Sequence, residues 1–352
     1  MRRRDLLVLL GGASVTWPVT ARAQQAGQIA RIGFLSQAPD NPVFASSYPA
    51  FLAELRKLGF TEGQNLIIEY RRTDGGASKA FAGAAELIRS NVDVVVTFGP
   101  EIALKAAVAA SQTTPIVMIA VNFDPIAGGY VSDLARPNGN ITGLVYRAPE
   151  LAAKQLELLV EAFPDNKSVA ALWEPASAEQ FASAQRTAQS LHIDLRSHKL
   201  ENPPFDFDQA FRGIAQEGSR MVLVLSGPTF TAQRAHIADL AMQHRLPTMF
   251  TFKAYVEAGG LISYGIDTVP IFRRAASFVA KILRGAKPPD LPVEQPTNFE
   301  FTLNLKTAKA IGVSIPTSIL LRADEVPAGG PDRPPAQTSV RGVGIIQLDN
   351  KV

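Results

Sequence analysis

The sequence predicts an α/β protein built as two Rossmann-like lobes, each on a parallel sheet. Three observations point there. From Arg31 onward, short apolar runs such as "VDVVVTFG" and "PIVMIAV" alternate with alanine-rich segments, the pattern of strands covered by helices on both faces. The same plan restarts after a glycine-rich interruption at residues 122–150. Finally, "VVVTFGPE" (94–101) matches "VLVLSGPT" (222–229), and "TPIVMIAV" (114–121) matches "LPTMFTFK" (246–253). In the first pair a Gly-Pro follows a buried strand, and in the second a proline opens the strand. A length of 352 residues with 46% hydrophobic content is enough for two cores.

Taken in order, "RIGFLS" (31–36) reads as a buried strand and "YPAFLAELRKLGF" (48–60) as a helix. Phe51, Leu55 and Leu58 fall at i, i+4 and i+7 of that helix, and Gly59 is its stop. "NLIIEYRR", "VDVVVTFG" and "PIVMIAV" are strands, with helices over about 77–90 and 100–111 between them. In the second half "SVAALWEP" (168–175), "DLRSHKL" and "RMVLVLSG" are strands. Helices are expected over "SAEQFASAQRTAQSL", about 206–217 and about 230–244. A helix over about 270–284 ends at Gly285, and "KPPDLPVEQPTN" is an extended connector. "FEFTLN" follows as a strand, and "LKTAKAIGVSIP" as a short helix stopped by Gly312. From Pro327 the composition turns to Pro, Gly and polar residues, which predicts a disordered tail over 327–352.

The formal charge of +3 is carried entirely by the first 23 residues, where four arginines face one aspartate. The remainder is neutral, so the basic stripe of a nucleic-acid binder is missing. Those residues, "MRRRDLLVLLGGASVTWPVTARA", place arginines before a short apolar run and end on a small-x-small cleavage signal. They read as a signal peptide, residues 1–23, and resemble a twin-arginine type with the Sec route open. There is no cysteine, which excludes disulfides, a thiolate nucleophile and the acylated cysteine of a lipoprotein. A soluble periplasmic protein without a lipid anchor is expected.

Catalytic patterns are missing. The glycines at 128, 129, 139 and 143 form neither G-x-G-x-x-G nor a Walker A loop, so no nucleotide cofactor is expected. Ser226-Gly227-Pro228 lacks the G-x-S-x-G frame of a nucleophile elbow. His236 and His244 are eight apart, and with His192 and His198 they give no metal-binding pair. The sequon at Asn140 has no use in a bacterial export route. Neither an enzyme nor a metalloprotein is expected.

The strand ends are more informative, because in open parallel sheets ligands bind beyond the carboxyl ends of strands. They carry Ser36-Gln37, Phe98-Gly99-Pro100, Asn122, Glu174, Ser226-Gly227-Pro228 and Tyr264. Small, hydroxyl, amide and aromatic groups suit a small polar or aromatic ligand.

At this point the chain resembles a known family. "GFLSQAP", "LGFTEGQNLIIEYR", "DPIAGGYVSDLARPNGNITGL", "YVEAGGLISYGID", the run from "RAASFVAKILRGAKPPD" through "AIGVSIP", and "LLRADEV" look like ABC transporter substrate-binding proteins of the tryptophan/tyrosine type. The resemblance runs from about Ile29 to Val326. It implies a type I periplasmic-binding-protein fold, two lobes joined by a three-strand hinge that close over a ligand. The first lobe would take residues 29–147 plus about 268–292, and the second 148–267 plus about 298–326. On this reading the interruption at 122–150 approaches the hinge.

Carried across, the resemblance implies that Ser36, Gln37, Phe98, Gly99, Asn122 and Asp124 line the first lobe. Glu174, Thr229, Tyr255, Tyr264 and Asp267 would line the second lobe and hinge. Asp267 or Glu174 would hold an α-ammonium group, since a carboxylate pairs well with a desolvated ammonium. The chain departs from the family at Phe98 and in its tail. The expected function is capture of an aromatic amino acid or related aromatic compound and its delivery to an ABC permease, by a monomer. The alternative is a sensing module for a histidine kinase or chemoreceptor. Neighbouring genes for a permease and ATPase would separate the two.

Overall fold

The computed structural model describes residues 29–36, 42–73, 76–121, 123–146, 148–296 and 298–325. The expected signal peptide at residues 1–23, the expected disordered tail at 327–352, Gln37 and Asn122 lie outside the described residues. The chain divides into two compact units. One takes in residues up to Arg147 together with Thr268–Pro296, the other Ala148–Asp267 together with residues from Thr297 on, so the backbone passes between them three times.

The first unit contains β1 (Ala30–Ser36), α1 (Pro42–Lys57), β2 (Leu66–Arg72), α2 (Ala77–Arg89), β3 (Val94–Gly99), α3 (Glu101–Ala110), β4 (Ile116–Val121) and β5 (Ile141–Tyr146). A later helix, α10 (Thr268–Leu283), returns to pack on α1. The sheet order is β2-β1-β3-β4-β5, parallel throughout. β3, β4 and β5 are almost wholly buried, as continuous apolar strands under helices must be. α1 begins six residues before the helix expected from sequence, because Pro49 imitates a first-turn proline but sits inside the helix.

A second difference is larger. The glycine-rich interruption contains β5, buried along its whole length and paired with β4. Gly143 sits opposite Met118 in that pairing, at φ 137°. A Cβ there would lie 2.0 Å from the Met118 carbonyl oxygen, so only glycine lets the strands meet. The proline-rich connector is also not free. Its Glu294 N–H donates to the Gly143 carbonyl at 2.9 Å, and the Val145 N–H donates to the Glu294 carbonyl at 2.9 Å. The Thr142 hydroxyl adds a buried bond to the Leu291 carbonyl at 2.7 Å. The connector thereby covers the outer edge of β5, which would otherwise present unpaired backbone.

The core of this unit includes an aromatic cluster around Phe34. Phe44, Tyr48 and Phe51 of α1 meet its ring edge-on at 5.3–5.5 Å. Phe272 of α10 stacks on it at 6.3 Å and meets Phe98 at 4.9 Å. Edge-to-face pairs of this kind add to the burial energy of the rings.

The second unit opens with α4 (Ala148–Ala162), a helix that the sequence reading leaves unassigned although Pro149 and the leucines at 151, 156 and 159 give it a start and a buried face. Next come β6 (Ser168–Trp173), α5 (Ala178–Leu191), β7 (Asp194–Lys199), α6 (Phe207–Gln216) and β8 (Met221–Val224). The helix expected over 230–244 is two, α7 (Pro228–Ala232) and α8 (Arg234–Gln243). β9 (Thr248–Phe250), α9 (Lys253–Glu257) and β10 (Ile262–Ile266) follow, and the chain returns after α10 with β11 (Phe299–Leu303), α11 (Leu305–Ile311) and α12 (Thr317–Leu320). The order is β11-β10-β9-β8-β6-β7, parallel except for β11, which runs antiparallel to β10. The two sheets are therefore mostly, not wholly, parallel. Gly312 caps α11 at φ 75°, the stop that the sequence indicates.

Candidate functional site

In an open sheet the crevice for a ligand forms where neighbouring connections leave in opposite directions. In the first unit that point lies between β1 and β3, which end at Ser36 and at Phe98-Gly99. In the second it lies between β6 and β8, which lead into Glu174 and into Ser226-Gly227. Both switch points thus carry residues singled out from the sequence.

Ser36 is fully buried, and its hydroxyl has no hydrogen-bond partner among the described residues. Buried hydroxyls are nearly always paired, so an orphan at a switch point marks a place for a ligand or water. Phe98 is buried with its ring against Phe272 and Phe44, so it belongs to the aromatic cluster. Gly99 ends β3 just before α3. Asp124 is exposed, and its Oδ1 accepts from the N–H groups of Ile126 and Ala127 at 2.8 and 3.3 Å. That is a turn-stabilising bond of the usual Asx kind.

Glu174 is the most unusual group in the second unit. It is 7% exposed, and Oε1 has no hydrogen-bond partner among the described residues. Burial pushes its carboxyl above the ordinary value of 4.5, opposed by hydrogen bonds from the backbone N–H and hydroxyl of Thr229. Locally, a one-turn 3₁₀ helix at Pro175–Ser177 fixes its backbone. The Ser177 N–H donates to the Glu174 carbonyl at 2.8 Å, and the Glu174 N–H donates to the Ser177 hydroxyl at 3.3 Å. Across the switch point Gly227 lies against the carboxylate, where a Cβ would fall 1.8 Å from Oε1.

Tyr255 is packed in the core of this unit. Its ring stacks on Phe250 at 4.6 Å, and its hydroxyl donates to Thr231 Oγ1 at 3.5 Å. Burial, with Glu174 nearby, raises its phenol above the usual range, so it stays neutral. Tyr264 is half-buried, with its ring stacked on Phe299 at 5.7 Å and its carbonyl accepting from Gln155 Nε2 at 2.7 Å. Asp267 is half-buried and already engaged in an interaction. It neighbours Glu300, whose carboxyl is raised by burial and by Asp267 and Glu325 against the pull of Lys253. Lys253 Nζ reaches Glu300 at 3.5 Å and also pairs with Glu325. The structure thus gathers Glu174, Thr229 and Tyr255 in one neighbourhood and places Asp267 in another, around Glu300 and Lys253.

Residues 37–327 match the family described as ABC transporter substrate binding protein. The chain belongs to that family. A tyrosine-binding protein from Clostridioides difficile strain R20291 is 23% identical to this substrate-binding protein over 287 residues, 79% of each chain. Among solved structures, a conserved domain protein from Vibrio cholerae superposes with a TM-score of 0.77 at 27% identity, covering 85% of this chain and all of that one. An ABC domain from Streptococcus pneumonia in complex with L-Trp gives a TM-score of 0.71 at 25% identity, over 84% and 99% of the two chains. The pair of mostly parallel α/β sheets is that of type I periplasmic binding proteins.

One buried side chain of this substrate-binding protein's second switch point escapes a reading of strand ends. Gln180 on α5 is buried, donates Nε2 to the Ser226 carbonyl at 3.0 Å and accepts the Ser226 N–H on Oε1 at 3.0 Å. This amide pair continues the β8 hydrogen bonding past the strand end. The Gly227 carbonyl is held by Thr231, which donates both its N–H and its hydroxyl at 3.0 Å. Gly227 is among the strand-end residues read from the sequence, but its approach to Glu174 leaves no local mark, and nothing local marks Gln180. The four histidines carry no shared site. His192 and His244 cap α5 and α8, while His198 and His236 pair with Glu217 and Asp208 at 2.5 and 2.9 Å.

Proposed function

We propose that this member of the family is the exported, periplasmic binding component of an ABC importer, capturing an aromatic amino acid or closely related aromatic compound and delivering it to a membrane permease. It acts without a chemical step and needs no cofactor. The observation that carries the ligand class is Glu174, a buried carboxylate with a free oxygen at a sheet switch point, in a chain similar to proteins described as tyrosine-binding and as complexed with L-Trp. An isolated buried carboxylate is costly, and a ligand ammonium would satisfy it. Of the two acids read from sequence, Glu174 suits this role better, because Asp267 is already engaged beside the Lys253 and Glu300 pair. The hydroxyl of Ser36 would accept or donate one further bond, and Phe98, Gly99, Asn122, Asp124, Gln37, Thr229, Tyr255 and Tyr264 remain proposed contributors.

Among the described residues no helix is long and apolar enough to cross a membrane, which fits an exported binding component. The test is a thermal-shift panel on the mature chain with L-tryptophan, L-tyrosine, aromatic acids and sugars. A ligand at 100 times its Kd adds roughly 2.7 kcal/mol, or roughly 5–10 °C for a unit of this size. Aromatic amino acids are expected to produce that shift. A shift from sugars with none from aromatic compounds would end the proposal. Delivery is checked separately, by loss of labelled-ligand uptake in cells lacking the protein.

A further inference from the structure

The ligand reading names Glu174 but leaves open why its carboxylate points where it does. Its seat is the turn that follows β8. Gly227 comes so close that a Cβ would fall 1.8 Å from Oε1 and 2.7 Å from the carboxyl carbon. Gly227 has φ −149° and ψ 150°, ordinary extended backbone, so the glycine is required by contact and not by conformation. The turn that carries it is pinned from two sides, by the reciprocal Gln180 amide on Ser226 and by the Thr231 bonds to the Gly227 carbonyl. Thr229, two residues on, lies beside the carboxylate. The oxygen pressed against Gly227 is Oε1, which is buried and has no hydrogen-bond partner among the described residues. A buried turn held by a buried glutamine is an expensive way to end a strand unless its position matters.

We propose that Gly227 and Gln180 are positioning residues that set the Glu174 carboxylate for a cationic ligand group, and so determine whether the protein distinguishes an ammonium-bearing ligand from its counterpart without the ammonium. The inference rests on the reading of Glu174 as a ligand contact. Alanine at 227 must push the carboxylate away or move the turn. Leucine at 180 keeps the side-chain volume but releases the Ser226 backbone, so it reaches the same end without adding bulk next to Glu174.

The experiment measures Kd by calorimetry for L-tryptophan and for indole-3-propionate, which lacks the ammonium group. The readout is the ratio of the two constants. In the wild type the ratio is expected to favour L-tryptophan by about tenfold or more, the scale of a charge-assisted bond. Gly227→Ala and Gln180→Leu should each bring it to within about threefold of unity, and in a Glu174→Gln background neither should change it further. If Gly227→Ala does not fold, Gln180→Leu carries the test alone. The inference is overturned if the folded variants keep the wild-type ratio, or if they lower it by the same factor when Glu174 is already glutamine. A wild type that binds both compounds without preference overturns the role of Glu174 itself, and one that binds neither overturns the aromatic amino-acid reading.

Discussion

Replacing Gly143 with alanine is expected to be the most damaging single-methyl change in the first unit, lowering its stability by about 4 kcal/mol. Gly143 pairs with Met118 in the middle of the β4–β5 ladder, and the new Cβ would meet the Met118 carbonyl oxygen at 2.0 Å and its nitrogen at 2.6 Å. Backbone atoms cannot turn aside as a flexible side chain can, so the strands must separate. Separation also breaks the Glu294 N–H to Gly143 bond that holds the proline-rich connector. The φ of 137° adds strain for any residue with a Cβ. The measurement is a thermal melt, in which about 4 kcal/mol corresponds to roughly 8–16 °C. Gly139→Ala is the control. It also has a positive φ, 74°, but nothing lies within 4 Å of its Cβ. Only about 1 kcal/mol of backbone strain is expected there. Equal losses for the two would show that conformation, and not the contact with Met118, explains Gly143.

The same glycine explains what the sequence conceals. "ITGLVY" has the β-branched and aromatic residues of a strand, yet it follows Pro137-Asn138-Gly139-Asn140 and is split by Gly143, so the stretch reads as a turn leading elsewhere. The requirement for glycine is imposed by Met118, 25 positions earlier, and local patterns carry no trace of it. Strands β1, β3, β4, β6 and β8 were legible because burial on both faces writes itself as an apolar run. β11 was legible as a strand but not as an antiparallel one, since direction is a property of the pairing.

For the candidate site the split is similar. Ser36 and Glu174 could be found because a strand's carboxyl end can be read from where its apolar run stops. Their burial could not, because it depends on which strands become neighbours. Phe98 and Tyr255 look alike in the sequence as available aromatic rings, and both are committed to cores, one against Phe272 and the other against Phe250. The contact of Gly227 with Glu174 spans 53 positions and exists only because β8 lies beside β6.

Glu174→Gln should separate stability from binding. In the unliganded protein, burial raises the Glu174 carboxyl above its unfolded value of 4.5. A group raised in this way contributes stability below its unfolded pKa and loses that contribution as pH rises through the folded one. Above that raised folded value the carboxylate is ionised at the expense of the fold, and there Glu174→Gln should raise the unliganded melting temperature. That gain should vanish below about pH 4.5, where both forms are neutral. Binding should move the other way. Loss of one partner of a buried charge pair costs about 2 kcal/mol or more, roughly 30-fold in Kd for L-tryptophan. Proton linkage supplies an independent reading of the same atom. An ammonium ligand needs the ionised carboxylate, so in the wild type binding expels a proton once pH falls below the raised pKa of the free protein. Kd should then increase about tenfold per pH unit there and be flat above it, and in Glu174→Gln the slope should be gone. Calorimetry in two buffers of different ionisation enthalpy counts the proton directly. No proton released in the wild type anywhere on the acid limb of a pH series, or a variant that binds L-tryptophan as tightly as the parent, would mean that Glu174 faces no cation, and the unpaired oxygen at the second switch point would then serve some other donor.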